Sequence, residues 1–235
     1  MQNLYEGIIL KYVDYKDNDK ILTIFTKNGL QSLIAKGVKT GKRANLLDTG
    51  NLISYDIVKT KGLPILTTVI LKNSFAEDKP QYSFYILFLL EVILKIQREG
   101  EDESLMYSIL LYCLQNLSGN SNLYLSLFLV KVLYYEGVFI DLYSCLVCGK
   151  EFNENSNIIV SSEGVTHLSC SNLKEKNINN DTIKLLRYLL NFDIRKNKFN
   201  FSIDDLIIKE SLFYLISFTE NFFSSSIKSK EYITV

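Results

Sequence analysis

The sequence contains a single histidine, His167, so no constellation that needs a second imidazole beside a nucleophile is open to it. Gly-rich phosphate loops of the two common types are also missing. Acidic groups do occur together, at Glu101/Asp102/Glu103 and Asp204/Asp205, but each stands where a helix should begin, and N-terminal charge stabilisation accounts for them. These absences argue against an enzyme. Long apolar runs are lacking too. SFYILFLL (83–90) and LYLSLFLVKVL (123–133) are interrupted by Glu91 and Lys131, well short of the roughly 20 residues a membrane span requires, and read as core helices. The opening MQNLYEGIILKYVDYKDNDK has neither a basic n-region nor a small-residue cleavage site, so no export is expected. Four cysteines without an export signal, two of them in a CxxC pair, favour metal binding over disulfides and a cytoplasmic location.

What is present divides in two. The chain of 235 residues, 47% of them hydrophobic, suffices for one large domain or two small ones. Net charge is zero, yet residues 1–76 carry 11 Lys and Arg against 6 Asp and Glu, and 77–235 carry 15 against 20. A front half at +5 followed by a body at −5 fits an anion-binding module on an acidic partner domain, although a split of this size also arises by chance.

The patterning changes at the same place. LYEGIILKYV, KILTIFTKNG, LQSLIAKGV, NLISYDIVKT and PILTTVILKN alternate with period two and are separated by KDND (16–19), NG (28–29) and KGLP (61–64). Five strands of this length predict an OB-like Greek-key barrel over 1–76. After AEDKP (76–80) the apolar spacing becomes three and four. Helices are predicted over QYSFYILFLLEVILKIQ, ESLMYSILLYCLQNL, NLYLSLFLVKVLYYEGV, DTIKLLRYLLNF (N-cap Asn180 or Asp181) and DDLIIKESLFYLISFTENFF. The fold expected is therefore α+β, an N-terminal five-stranded OB-fold barrel followed by an all-helical domain over 77–235. Cys113, in LLYCLQNL, reads as core. Lys131, a lone charge in an apolar helix, reads as a snorkelling residue, with an anion anchor as the alternative.

One stretch concentrates the soft ligands. YSCLVCGKEFNENSNIIVSSEGVTHLSC (143–170) holds Cys145-x2-Cys148, then 18 residues, then His167-x2-Cys170. Two side chains from one such turn converge on an ion, and a second turn completes the four ligands of a structural Zn²⁺ site. Gly149 and Gly164 suit the tight turns, and FNENSNIIVSSEG suits a hairpin, which predicts a zinc-ribbon-like insertion over 143–172. Four ligands leave no open position, so the metal would be scaffolding. Two other readings stand beside it, ordinary buried cysteines with a surface histidine, and a redox CxxC that lacks the strand-to-helix setting of thioredoxin-like proteins.

AKGVKTGKRANL (35–46) places Lys36, Lys39, Lys42 and Arg43 on a Gly-punctuated loop able to follow a phosphate backbone. In an OB barrel such a loop flanks the binding face, where exposed aromatics stack bases. Tyr12, Tyr15, Phe25 and Tyr55 are the available rings, some of them core by their period-two placement. A solvated loop without a ligand is the plainer alternative.

Taken in order, GIILKYVDYKDNDKILTIFTKNGLQSLIAKGVK, the helical body, GVFIDLYSCLVCGKEF and SSEGVTHLSC make the whole chain resemble the bacterial recombination mediator family RecO. The resemblance implies an N-terminal OB fold, a helical domain and an inserted zinc motif, and no catalysis. It also implies binding of single- and double-stranded DNA and annealing of complementary strands. The implied partners are RecR and the acidic C-terminal tail of the single-stranded-DNA-binding protein, with loading of RecA at gaps and breaks and a cytoplasmic, nucleoid-associated setting. Two departures show. His167 stands where the family usually has the first cysteine of the second pair, a change zinc tolerates, and Thr40, Gly41 and Ala44 thin the basic run after AKG. Two rivals from other classes remain, a zinc-ribbon/OB protein-interaction scaffold without annealing activity, and a metal-dependent enzyme acting on nucleic acid through Cys145 or His167.

Overall fold

The computed structural model describes residues 4–39, 44–78, 80–96, 102–138, 141–153, 156–161, 164–171, 180–196, 198–199 and 202–233. They gather into two compact units, Met1–Ser118 with Lys228–Ile233, and Gly119–Ile227.

The first unit begins with β1 (Tyr5–Tyr15), β2 (Asp19–Thr26), β3 (Gly29–Ala35), β4 (Asn51–Val58) and β5 (Ile65–Ser74), which close into a barrel in the order β1-β2-β3-β5-β4. All neighbours are antiparallel except β3 and β5, which pair in parallel at Ile34–Ala35 with Ile65–Leu66 and shut the barrel. This is the five-stranded Greek-key order expected of an OB-type fold. Period-two alternation sends Ile9, Leu22, Ile24, Leu33, Ala35, Ile53 and Tyr55 inward, and Leu47 joins them from a short 3-10 turn, Asn45–Leu47. Gly7 of β1 sits close against β2. A Cβ there would lie 2.4 Å from Ile24 Cγ2 and 2.9 Å from the Phe25 carbonyl oxygen, so no larger residue fits without a shift.

Helix α1 (Phe75–Asp78) and a 3-10 turn lead into α2 (Ser83–Ile96) and α3 (Ser104–Asn116), at the positions predicted. α3 is pinned to the barrel by Tyr107, whose hydroxyl donates to Glu6 Oε1 at 3.0 Å and whose ring meets Phe25. Cys113 is fully buried in α3, as its apolar neighbours require, and burial pushes its thiol up. The Glu91 carboxylate of α2 accepts from the Lys228 and Ser229 N–H groups and the Ser229 hydroxyl, which fastens the C-terminal 3-10 turn, Lys228–Tyr232, against α2.

In the second unit α4 (Ser121–Tyr135) is buried on nearly every face, from Leu123 to Val130, which makes it the central helix. Asn120 caps it by accepting from the Leu123 N–H. After the cysteine segment come α5 (Asn180–Asn191) and α6 (Asp205–Phe223), the latter capped by Asp204, so the acidic pair there does mark a helix start. Lys131 has a different role from either expected. Its ammonium donates to the Leu190 carbonyl at 2.7 Å, satisfying one of the orphan acceptors at the end of α5. Among the described residues no helix is long and apolar enough to cross a membrane.

Candidate metal centre and nucleic-acid interface

The four ligands predicted from spacing do meet. The donor atoms of Cys145, Cys148, His167 and Cys170 all lie within 4.8 Å of one another. The first pair is carried by a tight turn in which Cys145 N–H donates to Lys150 O and Gly149 N–H donates to Cys145 O. Gly149 has φ +69°, a backbone state other residues rarely adopt. The second pair follows a hairpin of β6 (Ile158–Ser161) and β7 (Gly164–His167), paired from Ile158↔His167 to Ser161↔Gly164. A Leu146 N–H to Val165 O bond of 2.9 Å joins turn and hairpin, while Ile158, Ile159, Val160 and Val165 supply a small core beneath.

The electrostatics suit a cation. Cys145 is 1% exposed. Burial opposes ionisation of its thiol, yet the N–H groups of Cys148, His167 and Val147 outweigh burial and hold it down to about 6. The His167 N–H contact to Cys145 Sγ is 3.4 Å, and Cys148 Sγ lies 3.5 Å from His167 Nδ1. The edge of Phe152 packs against the imidazole with ring centroids 4.9 Å apart, fixing its orientation. Three sulfurs and one imidazole nitrogen at this spacing form a group that can hold a metal ion, and no fifth donor is needed to close it. Arg187 of α5 supports the turn from outside. Its Nε and Nη2 donate to the Leu142 carbonyl at 3.1 and 2.6 Å, and its guanidinium lies over the Tyr143 ring.

The basic loop is anchored at both ends. At its start Val38 and Lys39 N–H groups donate to the Asn18 carbonyl, and Gly37, at φ +64°, donates to Asp19 Oδ1. At its end Asn51, itself held by Ser74, donates to the Asn45 and Leu46 carbonyls of the 3-10 turn. Lys36 is exposed. Lys39 is not a free cation, because its ammonium donates to the Lys16 carbonyl at 2.8 Å and lies 3.6 Å from Asp14. Lys42 and Arg43 lie outside the described residues. The structure brings the β1–β2 turn against this loop, and with it two cation–ring pairs that loop composition alone did not reveal. Lys20 Nζ stands 3.7 Å from the centroid of Tyr12, and Lys16 Nζ 5.2 Å from that of Tyr15. Cross-strand spacing holds the signal, since Lys20 faces Asp14 in the ladder, next to Tyr12↔Leu22. Of the four rings considered from sequence, Phe25 and Tyr55 are buried in the core, leaving Tyr12 and Tyr15 accessible at this end.

The comparisons with known proteins agree with this architecture. The family described as Recombination protein O N terminal matches residues 1–75, and Recombination protein O C terminal matches residues 78–231. The chain belongs to the RecO family. Curated RecO relatives span nearly the same length. A DNA repair protein RecO from Desulforamulus reducens is 24% identical over 97% of this chain and 92% of its own, and one from Clostridium acetobutylicum is 27% identical over 97% and 96%. A third, from Clostridium perfringens, is 29% identical over 81% of this chain and 80% of its own. RecO membership thus embraces both the barrel and the unit with the Cys/His cluster.

Proposed function

We propose that this RecO-family chain serves DNA repair as a recombination mediator. In this reading it binds single- and double-stranded DNA, anneals complementary strands, and works with RecR to load RecA onto DNA coated by single-stranded-DNA-binding protein, whose C-terminal tail it contacts. The observation that carries the reading is the barrel end where the β1–β2 turn and the loop after β3 are hydrogen-bonded to each other, bringing Lys16, Lys20, Lys36 and Lys39 together beside Asp14, Asp17 and Asp19. Lys36, Lys39, Lys42 and Arg43 would track phosphates there, with Tyr12 and Tyr15 as stacking rings. Lys39 would have to exchange its Lys16 and Asp14 partners for phosphate, so Lys36 is the readier contact among the described members of the set. Neutralising phosphates on two strands lowers their mutual repulsion, and pairing then runs downhill without nucleotide hydrolysis. No catalytic role is assigned to any residue.

The metal belonging to Cys145, Cys148, His167 and Cys170 is zinc in this proposal, because a Cys₃His set with closed coordination is a structural zinc site. It supplies folding energy and holds the turn and hairpin of 143–170 together. The test of function is fluorescence anisotropy of a labelled single strand at low and moderate salt, wild type against a Lys36/Lys39/Lys42/Arg43→Ala variant. Salt-sensitive binding that the variant loses supports the reading. Absence of binding at either salt leaves a protein-interaction scaffold as the better description.

A further inference from the structure

The other end of the barrel carries a second feature that the basic loop does not explain. Tyr5 and Tyr15 lie at opposite ends of the eleven-residue β1, roughly 30 Å apart at about 3.3 Å per residue. At the Tyr5 end a cavity of about 590 Å³ opens beside the β2–β3 turn. That size falls in the range of small-molecule sites.

Its walls are both aromatic and polar. Tyr5, 44% exposed as a residue, lays its ring over buried Tyr55 with centroids 5.7 Å apart and planes 29° apart, so that one face of the ring is covered by Tyr55. Tyr55 OH donates to Gln31 Oε1 at 2.6 Å. Burial, and then the neighbouring Tyr5, push the Tyr55 hydroxyl up, which keeps it protonated as that donor. Among the described residues the Gln31 amide nitrogen, the Asn28 side-chain amide and Lys27 Nζ have no hydrogen-bond partner. Glu6, whose Oε1 takes the Tyr107 hydroxyl, adds a carboxylate acceptor.

We infer that this cavity takes one unpaired nucleobase of a single strand, stacked on Tyr5, with its edge hydrogen-bonded by Gln31, Asn28 and Glu6. Three features select that ligand. A flat open ring backed by a second ring is a stacking platform. Amide donors and a carboxylate acceptor around one cavity match the mixed donor and acceptor edge of a base. The Glu6 charge disfavours a phosphate inside, whereas Lys27 can hold one at the rim. A base in a duplex has its edge paired and its faces stacked, so it cannot enter, and the cavity discriminates single from double strands where the basic loop does not.

The inference rests on the DNA-binding reading, and one experiment separates the two. The probe is a single strand carrying 2-aminopurine, and the same sequence as a duplex, each titrated with wild type, Tyr5→Ala, Tyr5→Phe and Asn28→Ala. 2-Aminopurine emission depends on its stacking partner, so leaving the neighbouring bases for a tyrosine changes it. Wild type should change the emission of the single strand and not of the duplex. Tyr5→Ala should lose that change and about tenfold in single-strand affinity while duplex affinity holds. Tyr5→Phe, which keeps the ring, should behave as wild type, and Asn28→Ala should weaken the single strand alone. Unchanged single-strand binding in Tyr5→Ala overturns the inference and leaves a peptide or another small molecule as the occupant, and so does an equal loss on both probes. Those results leave DNA binding standing, whereas a wild type that binds neither probe removes the parent reading and the inference together.

Discussion

The barrel and the cysteine ribbon bury their interiors on different scales. Nine buried side chains, drawn from β1 to β4 and the loop between β3 and β4, fill the barrel, and Leu66, Val69 and Leu71 of β5 pack against them. The ribbon has buried Ile158, Ile159, Val160 and Val165 and four side chains, Cys145, Cys148, His167 and Cys170, whose donor atoms face one another. A core of the first kind persists on hydrophobic burial alone. A patch of the second kind is small, and under the zinc proposal a cation joining three thiols and an imidazole that lie within 4.8 Å of one another supplies the rest. If the proposed zinc is bound, the two regions owe their stability to different physics, and each should break while the other is left intact.

Chelation of the proposed zinc, or Cys148→Ser, should have the largest effect. Structural zinc in small metal-dependent folds contributes on the order of 10 kcal/mol. Amide exchange over 143–170 should rise to that of an unstructured loop, with protection in β1–β5 unchanged. Zinc retained at full stoichiometry in Cys148→Ser would show that the four residues do not act as one site.

Gly7→Ala is the reciprocal break. Overpacking against Ile24 and the Phe25 carbonyl should cost about 1–3 kcal/mol of barrel stability, read as a lower denaturation midpoint. Zinc content should not change. Arg187→Ala sharpens the comparison from the ribbon side. Loss of two charged hydrogen bonds to Leu142 should cost about 1–3 kcal/mol locally, and release of metal to a chelator should quicken while the stoichiometry stays that of the wild type.

Acid separates the regions differently. The Glu91 carboxylate is partly desolvated by burial, but the Ser229 hydroxyl and the Ser229 and Lys228 N–H groups prevail and hold it below its ordinary value. A depressed carboxyl contributes stability that is complete above its unfolded value, about 4.3, and is lost as pH falls through the folded value below that. The turn at 228–232 should loosen in that acid window, with Glu91→Gln weakening it already at neutral pH, as amide exchange would report. The smallest effect belongs to Lys36→Ala. Stability should stay within about 0.5 kcal/mol, while the log–log salt slope of single-strand binding should shallow by about 0.7 for one lost phosphate contact.

β2 was the most legible strand because its residues alternate between more and less buried over KILTI, whereas β1 and β4 are buried on both faces over Gly7–Leu10 and Asn51–Tyr55, which only packing against the rest of the unit decides. α5 was legible for the same reason as β2, at a period of 3.6, whereas α4, buried on nearly every face, was marked by its apolar length and the SGNS break before it. The Cys/His cluster was legible because two turns of x2 spacing present their side chains locally, and only the meeting of the two turns needed the fold. Lys131 was misjudged because the end of α5 that it satisfies is 59 residues away. The engagement of Lys39 was not legible, because its partners, Asp14 and Lys16, lie across a turn that no loop composition records.

Strand and helix positions, the break in character near residue 76 and the ligand set are local in origin, so the order of residues alone determined them. Which rings stack and which are core, which lysines are committed, and the cavity between Tyr5 and Gln31 depend on barrel closure. That closure places Tyr55 of β4 against Gln31 of β3, 24 residues apart, and the resulting contact belongs to the tertiary structure.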